Sequence, residues 1–217
     1  AAIAERRARL SGASEATRSA LRARAAETSR GITKAFVSLC LGEALDGLKS
    51  SVFSELGTQL GVIKRTDHRS WFQEPHSGGL GWSFPCAMGA QLAEPDRICV
   101  ATLGDGSYMF ANPTVCHQIA EALQLPVLVV ILNNEEWGAV RASVGGMYPQ
   151  GYAARANDMP LTALQPSPDF AVTASASRAW SRTVTDPAEL RGAIGAALAV
   201  VRDERRQALL NVKVLPD

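Results

Sequence analysis

Apolar residues along the chain follow two spacings, which together predict alternating strands and helices from Gly31 onward. Short apolar runs of strand length occur at residues 50–56, 97–104, 126–134, 179–185 and 206–215. Apolar positions recur at helical spacing in the other segments, at residues 32–48, 78–95, 113–125, 168–178 and 187–204. Because strands that alternate with helices pair in parallel through right-handed crossovers, this order predicts an α/β fold. The expected architecture is a doubly wound, open parallel sheet with helices on both faces.

Two segments do not fit this alternation. Residues 1–30 are rich in Ala, Arg and Ser and lack an apolar stripe, so we predict a solvated helix or linker from an upstream region. Their acidic residues argue against a transit peptide. Residues 141–168 contain Gly, Pro and Ala, and we predict a long functional or mobile loop there. The predicted organisation is therefore a linker or helical tail at residues 1–30 and one domain at residues 31–217.

Composition and charge narrow the class of protein. The 217 residues carry a net charge of +1, which gives no reason to expect nucleic acid or an anionic membrane as a partner. The longest strongly apolar run, PVLVVIL, is far shorter than the roughly 20 residues that span a bilayer. The four cysteines are scattered without a CxxC pair, so we expect reduced, mostly buried thiols in a cytoplasmic protein. The three histidines lack metal-ligand spacing, and a transition-metal site is not expected.

Polar residues collect where three of the predicted strands end. The features are ELGT at 55–58, GDGS at 104–107 and NNEEWG at 133–138, with a glycine loop, SGGLG at 77–81, entering a helix beside them. In open parallel sheets, ligands bind beyond the carboxyl ends of the strands. We therefore expect all four features to converge on one crevice.

The GDGS residues and the Asn pair favour a phosphate and a divalent cation. Gly104 and Gly106 let the backbone approach a phosphate, and Ser107 adds an N–H and a hydroxyl. Asp105 and Asn134 place a carboxylate and an amide oxygen at the same sheet edge, where a nearby carbonyl completes a set of hard oxygen ligands. Mg²⁺ bound to a diphosphate takes few protein ligands of this kind. Asp105 is therefore predicted to face a cation that bridges a diphosphate.

A Rossmann dinucleotide site is the main alternative, because it also places a glycine loop between a strand and a helix. After Gly104 and Gly106, however, position 109 is Met, so the GxGxxG spacing fails. The next strand ends in two asparagines rather than in the acidic residue that would bind a ribose. The pattern GxxxxGK[ST] does not occur either. Binding of NAD or ATP is therefore disfavoured.

The spacing of GDG and NN, separated by residues 107–132, resembles the thiamine diphosphate fingerprint of the 2-oxo acid decarboxylase and acetolactate synthase superfamily. The run GGLGWSFPCAMGAQLAEPDR is similar to the same enzymes, especially those like benzoylformate decarboxylase. Residues 31–217 as a whole resemble their C-terminal diphosphate-binding domain. The resemblance implies an enzyme that uses thiamine diphosphate and Mg²⁺ to decarboxylate a 2-oxo acid. The enzyme would either release an aldehyde or, like acetolactate synthases, ligate the remaining fragment to a second carbonyl compound.

The resemblance also implies roles for individual residues. The implied Mg²⁺ ligands are Asp105, Asn134 and the backbone carbonyl of Glu136. The implied cofactor-binding residues are Thr58, Gly78, Gly79, Leu80, Gly104, Asp105, Gly106, Ser107, Asn134 and Trp137. Among them, Leu80 would be the apolar wedge that bends the cofactor, and the carbonyl of Gly78 would accept from its 4'-amino group. Trp137 and Val140 would lie near the substrate.

The resemblance further implies that this chain is incomplete as an enzyme. In such enzymes the glutamate that activates the cofactor belongs to a pyrimidine-binding domain, usually of a neighbouring subunit, so we assign no catalytic residue to this chain. We expect a homo- or hetero-oligomer, a small 2-oxo acid as substrate, and neither nucleic acid nor membrane as a partner. A non-catalytic cofactor-binding or regulatory paralogue is the alternative. The pair of Asp105 and Asn134 argues against it.

Overall fold

A computed structural model of the chain describes residues 2–156, 159 and 161–216. The helices are α1 (Ala2–Ala25), α2 (Lys34–Ala44), α3 (Leu60–Ile63), α4 (Ser83–Ala93), α5 (Asp105–Phe110), α6 (Pro113–Ala122), α7 (Gly138–Met147), α8 (Tyr152–Ala156), α9 (Phe170–Ser175) and α10 (Pro187–Asp203). The strands are β1 (Ser50–Glu55), β2 (Trp71–Gln73), β3 (Ile98–Gly104), β4 (Leu128–Asn133), β5 (Trp180–Val184) and β6 (Ala208–Lys213). Every strand and helix predicted after Gly31 is present, shortened by a few residues at its ends.

The sheet confirms the predicted doubly wound architecture. Its six strands pair in parallel in the order β2-β1-β3-β4-β6-β5. The chain leaves β1 for β2 at one edge and returns to β3 on the other side of β1. The strand order therefore reverses at β1. Ligand crevices open at such a reversal, beyond the carboxyl ends of the two strands that flank it.

Helices cover both faces of the sheet, and each face has its own apolar core. Successive residues of a strand point to opposite faces. In β4, Val130 packs in the core with α2 and α10, whereas Val129 and Ile131 pack in the core with α4, α6 and α9. All residues of β4 are buried. Because burial of apolar area is the main favourable contribution to folding, the central strands form a stable frame from which the strand-end residues project.

The first helix, α1, is exposed over most of its length. Of residues 2–25, Ala25 alone is buried. Arg22 holds the end of the helix against the domain by donating to the carbonyl of Val62 at 2.8 Å and by pairing with Glu43. A helix therefore occupies most of residues 1–30, and whether this segment is a linker or helical tail from an upstream region stays a prediction.

The prediction of a long loop at residues 141–168 is wrong over its first part. The structure places α7 and α8 there, although Asn157, Asp158 and Pro160 lie outside the described residues. In residues 138–147 and 152–156, all of which are described, no residue is buried. Gly and Pro in this stretch favour a loop but do not exclude short helices. Val140, Val144 and Met147 recur at helical spacing, which is the signal for α7 in the sequence.

Three short elements were also missed, namely β2, α3 and α5. The strand β2 has three residues and pairs with β1 alone, through Val52 and Trp71 at its first position. The helices α3 and α5 have four and six residues. Elements of this length contain too few apolar positions for a periodicity to be recognised.

Candidate functional site

A crevice lies beyond the carboxyl ends of β1, β3 and β4, at the reversal of strand order. It brings together the GDGS and NNEEWG segments and Leu80 from the glycine loop, as the sequence analysis predicted. The residues that line it are Lys34, Leu56, Leu80, Gly104, Asp105, Gly106, Ser107, Leu132, Asn134, Glu136, Trp137, Gly138, Ala139 and Val140.

Asp105 is buried at the bottom of this crevice, directly after β3, and is only 2% exposed. One of its carboxylate oxygens accepts from the N–H of Gly106 at 2.9 Å, and the other accepts from the N–H of Glu135 at 2.8 Å. Burial raises the pKa of Asp105 above its ordinary value, although both amide bonds and the charge of Lys213 act in the opposite direction. A cation at this carboxylate would stabilise its charged form, so the position favours a metal ligand.

The turn after β4 carries Asn134 and Glu136, which line the crevice together with Asp105. Asn134 Oδ1 accepts from the N–H of Glu136 at 3.3 Å. Glu135 has a φ of 60°, in the left-handed region that residues other than glycine seldom adopt. Its side chain forms an ion pair with Lys213, and this hydrogen-bonded pair lowers the pKa of Glu135. The strained residue is therefore held on both sides, by its N–H on Asp105 and by its carboxylate on Lys213.

The segment that follows α8 forms hydrogen bonds with the same turn, at Glu135 and Trp137. The N–H of Trp137 donates to the carbonyl of Thr162, and the N–H of Leu164 donates to the carbonyl of Glu135, both at 2.8 Å. The side chain of Gln165 donates to the Glu135 carboxylate at 3.1 Å. Backbone bonds thus fix the turn that carries the candidate ligands.

Two glycines of the GDGS segment have opposite surroundings. A Cβ at Gly106 would lie 2.3 Å from the indole of Trp137, so a side chain does not fit there. The same indole meets the ring of Phe110 edge-on, with centroids 5.5 Å apart. At Gly104, by contrast, a Cβ would meet no described atom within 4 Å. The backbone at Gly104 is therefore open to close approach by a ligand.

Glu55, the last residue of β1, links the sheet to the glycine loop. It is 1% exposed, and its two carboxylate oxygens accept from the N–H groups of Gly81 at 2.6 Å and Ser83 at 2.7 Å. Leu80 next to this anchor is 41% exposed and lines the crevice. The sequence predicts Glu55 at a strand end and no role for its carboxylate. Its position in ELGT was the available signal, while its partners in the glycine loop required the three-dimensional structure.

Three of the predicted cofactor-binding residues do not line the crevice. The hydroxyl of Thr58 is buried and lies 3.0 Å from the hydroxyl of Thr102. Gly78 and Gly79 lie on the exposed turn before Leu80, where the N–H of Gly78 donates to the carbonyl of Pro75 at 2.8 Å. Their roles in cofactor binding stay predictions.

The grouping of His, Cys, Asp and Glu side chains bears on the kind of metal ion that the chain could hold. Within the described part of the chain, no three His, Cys, Asp or Glu side chains come together to hold a metal ion. The crevice instead brings one buried carboxylate, that of Asp105, together with Asn134 and Glu136. Among the same described residues, no helix is both long and apolar enough to cross a membrane. The four cysteines are free thiols.

The fold is an α/β domain whose strand-end crevice combines a buried carboxylate with an open glycine backbone. Comparison with known families matches residues 56–212 to thiamine pyrophosphate enzymes, specifically to their C-terminal TPP binding domain. The chain belongs to this family. The resemblance inferred from GDGS, the Asn pair and the glycine loop is therefore confirmed.

Individual relatives place the chain among enzymes of two kinds. It is 37% identical over 134 residues to the acetolactate synthase large subunit of Parasynechococcus marenigrum (strain WH8102), covering 62% of this chain and 20% of that protein. It is 38% identical over 71 residues to the benzoylformate decarboxylase of Pseudomonas aeruginosa, covering 33% of this chain and 13% of that protein. The matched region is thus about a fifth or less of either relative's length.

A solved structure has the same fold. The thiamine diphosphate-dependent 4-hydroxybenzoylformate decarboxylase of Rhodococcus jostii RHA1 superimposes with a TM-score of 0.73 at 24% identity. The superposition covers 88% of this chain and 34% of that chain. At this identity the likeness shows a shared fold.

Proposed function

We propose that this chain binds thiamine diphosphate through Mg²⁺, as the C-terminal part of an enzyme that decarboxylates a 2-oxo acid. The observation that carries the proposal is the buried carboxylate of Asp105, which lines one crevice with Asn134 and Glu136. Membership of the thiamine pyrophosphate enzyme family supports the identity of the cofactor. A cation offsets the cost of burying an ionised carboxylate, which gives Asp105 a physical reason to be there.

The residues at the bottom of the crevice fit the charged end of the cofactor. Asp105, Asn134 and the carbonyl of Glu136 would hold Mg²⁺. Each carboxylate oxygen of Asp105 accepts one amide hydrogen and keeps further lone-pair capacity for a metal. The open backbone at Gly104, followed by Gly106 and Ser107, would receive the diphosphate oxygens.

The apolar residues higher in the crevice fit the rest of the cofactor and the substrate. Leu80 would contact the cofactor as the predicted apolar wedge. Trp137 and Val140 would lie near the 2-oxo acid. When bound, thiamine diphosphate supplies the carbanion chemistry by which a 2-oxo acid loses CO₂. The residues of this chain would orient the reacting groups and keep water away from them.

Two outcomes of the reaction are open. The similar proteins are named as acetolactate synthases and as a benzoylformate decarboxylase, so the relatives include a carboligase and a lyase. The enzyme would release an aldehyde in one case and ligate the fragment to a second carbonyl compound in the other. A product screen with pyruvate and benzoylformate distinguishes the two.

A partner would complete the active site. We propose that a pyrimidine-binding domain or subunit of the same enzyme supplies the activating glutamate, in a homo- or hetero-oligomer. Large apolar residues exposed on the elements around the crevice support such a cover: Leu56, Leu80, Phe110, Val140, Met147, Tyr148 and Tyr152. Exposed apolar patches of this kind mark interaction surfaces. The free thiols support a cytoplasmic location.

Calorimetric titration tests the proposed cofactor. We expect thiamine diphosphate to bind only when Mg²⁺ is present, and NAD not to bind. Binding of NAD without a need for Mg²⁺ would favour a Rossmann-type site instead. Binding of thiamine diphosphate without turnover by the complete enzyme would favour a non-catalytic paralogue.

A further inference from the structure

Both carboxylate oxygens of Glu55 accept hydrogen bonds from backbone amides. Its Oε1 accepts from Gly81 at 2.6 Å and its Oε2 accepts from Ser83 at 2.7 Å. The residue is 1% exposed and is not among those that line the crevice. It is therefore placed to act on the glycine loop and not on a ligand.

The charge of Glu55 is compensated by the loop itself. In the described part of the chain, Glu55 forms no ion pair with Lys, Arg or His. Burying an unpaired carboxylate is costly, so the two charge-assisted amide bonds must offset that cost. Ser83 is the first residue of the 11-residue helix α4, whose positive end favours a nearby negative charge. Carboxylate and loop thus stabilise each other.

The conformation that Glu55 holds is a demanding one. Gly81 has a φ of +92°, and a Cβ there would lie 2.5 Å from the backbone nitrogen of Ala111, directly after α5. The loop is therefore pressed between Glu55 on one side and the end of the GDGS helix on the other. Leu80, which precedes Gly81, is partly exposed in the crevice, so its direction depends on this fit.

We propose that Glu55 is a positioning residue that acts through Leu80. By binding the Gly81 and Ser83 amides, it fixes the turn and holds the Leu80 side chain in the orientation that contact with the cofactor requires. The inference rests on the proposed function, because Leu80 is assigned to the thiamine diphosphate site. The anchoring of the loop itself can be judged without any cofactor.

The test combines two variants with a matched control. Glu55→Gln keeps the shape but offers one acceptor to two amides, and Glu55→Asp keeps the charge but shortens the reach. The control, Asp169→Asn, alters a carboxylate that also accepts two amides, from Ala171 and Val172 at the start of α9. Amide hydrogen exchange is measured for the full chain, and kcat and KM are measured for the complete enzyme.

In both Glu55 variants, exchange at Gly81 and Ser83 should accelerate roughly ten-fold or more. The control should leave these two amides unchanged. In the complete enzyme, Glu55→Gln should lower kcat by up to about 10²-fold with a smaller change in KM, since the loss is one of orientation. In a Leu80→Ala background, Glu55→Gln should lower kcat little further, because both substitutions remove the same positioning of the cofactor.

Several results would overturn the proposal. Unchanged exchange at Gly81 and Ser83 would show that Glu55 does not hold the loop. Full additivity of Glu55→Gln and Leu80→Ala would show that Glu55 does not act through Leu80. If the wild-type protein bound no thiamine diphosphate with Mg²⁺, the proposed function would fail. The exchange data alone would then support or refute the anchor.

Discussion

The bottom and the side of the crevice are built in different ways. The bottom consists of the strand-end residues Gly104, Asp105 and Asn134, beside the buried Glu55 at the end of β1, and the side consists of the start of α7, which leads on to α8. At the bottom, both carboxylates are buried and each accepts two backbone amides. On the side, Met147 and Tyr152 are 73% and 81% exposed. The chain therefore holds its charged bottom with its own backbone amides, whereas α7 and α8 expose apolar side chains.

The difference follows from what each region can bury. The bottom projects from β1, β3 and β4, whose interior residues are buried in two cores. In residues 138–147 and 152–156, by contrast, no residue is buried. Segments with few buried contacts open locally at low free-energy cost. The bottom of the crevice should therefore be more rigid than α7 and α8.

Replacing Asp105 should have the largest effect on the bottom of the crevice. Asp105→Ala removes the only charged Mg²⁺ ligand that we propose, so Mg²⁺-dependent binding of thiamine diphosphate should be abolished. The fold should persist, because the substitution also removes a buried carboxylate whose pKa is raised by burial. Thermal shift with and without cofactor measures both effects.

The control for this substitution is Asp186→Ala. Asp186 caps α10 by accepting from the N–H of Ala188 at 2.8 Å, and it does not line the crevice. Asp186→Ala should lower the melting temperature and keep the whole cofactor-dependent shift in melting temperature. A full shift in Asp105→Ala would contradict the assignment of Asp105.

Activity should depend on a second polypeptide or domain that covers the exposed side. Incubated with thiamine diphosphate, Mg²⁺ and a 2-oxo acid, the 217-residue chain alone should release no CO₂ above background. Adding the pyrimidine-binding partner should restore release, since that partner would bring the activating glutamate. CO₂ release is measured with pyruvate and benzoylformate. Substantial release by the chain alone would refute the need for a partner.

The sequence predicts the bottom of the crevice better than its side, for a physical reason. Asp105 and Asn134 follow strands whose apolar runs are unmistakable, and parallel strands bring their ends to one edge. The anchor from Glu55 to Gly81 was not predictable, because it depends on how a glycine turn packs against α5. The helix α7 was not predicted because its apolar positions are mixed with glycines and none of its residues is buried in the described structure.

Truncating Leu80 should have the next largest effect. Leu80→Ala should lower kcat of the complete enzyme by about 10²-fold, because a misplaced cofactor seldom reaches the reactive geometry. The affinity for thiamine diphosphate should change less, since the residues around Asp105 are untouched. Steady-state kinetics and calorimetry together measure this contrast. An unchanged kcat would show that Leu80 is an ordinary apolar residue.

The buried histidine His117, which is hydrogen-bonded to Tyr108 of α5, should make the free energy of unfolding depend on pH. Gln207 donates its amide hydrogens to the carbonyls of His117 and Ser177, so its oxygen accepts from His117 Nδ1 at 2.7 Å. His117 Nε2 is then the acceptor for the Tyr108 hydroxyl at 2.8 Å. Burial lowers the pKa of His117, and protonation would remove this acceptor.

The sign of the effect follows from the direction of the pKa shift. Below its ordinary pKa of about 6.5 the unfolded His117 binds a proton that the folded residue does not. Stability should therefore fall as the pH drops from about 6.5 toward the folded pKa, by about 1.4 kcal/mol for each unit of difference. Asp105, whose pKa is raised, acts in the opposite direction. Urea unfolding at several pH values should show the fall, and His117→Gln should reduce it while the exposed-site control His68→Gln should not.

The smallest effects should come from the side of the crevice. Met147→Gln and Tyr152→Ser each change a highly exposed residue, so the free energy of unfolding of the chain should move by no more than about 0.5 kcal/mol. Ile131→Ala in β4, at a fully buried position, should cost about 2–5 kcal/mol by comparison. Urea unfolding of the three variants measures this contrast directly. If α7 and α8 are covered in the assembly, the two surface variants should instead weaken association with the partner, as measured by sedimentation. A loss of several kcal/mol in the chain alone would mean that α7 and α8 belong to its core, and the distinction between bottom and side would not hold.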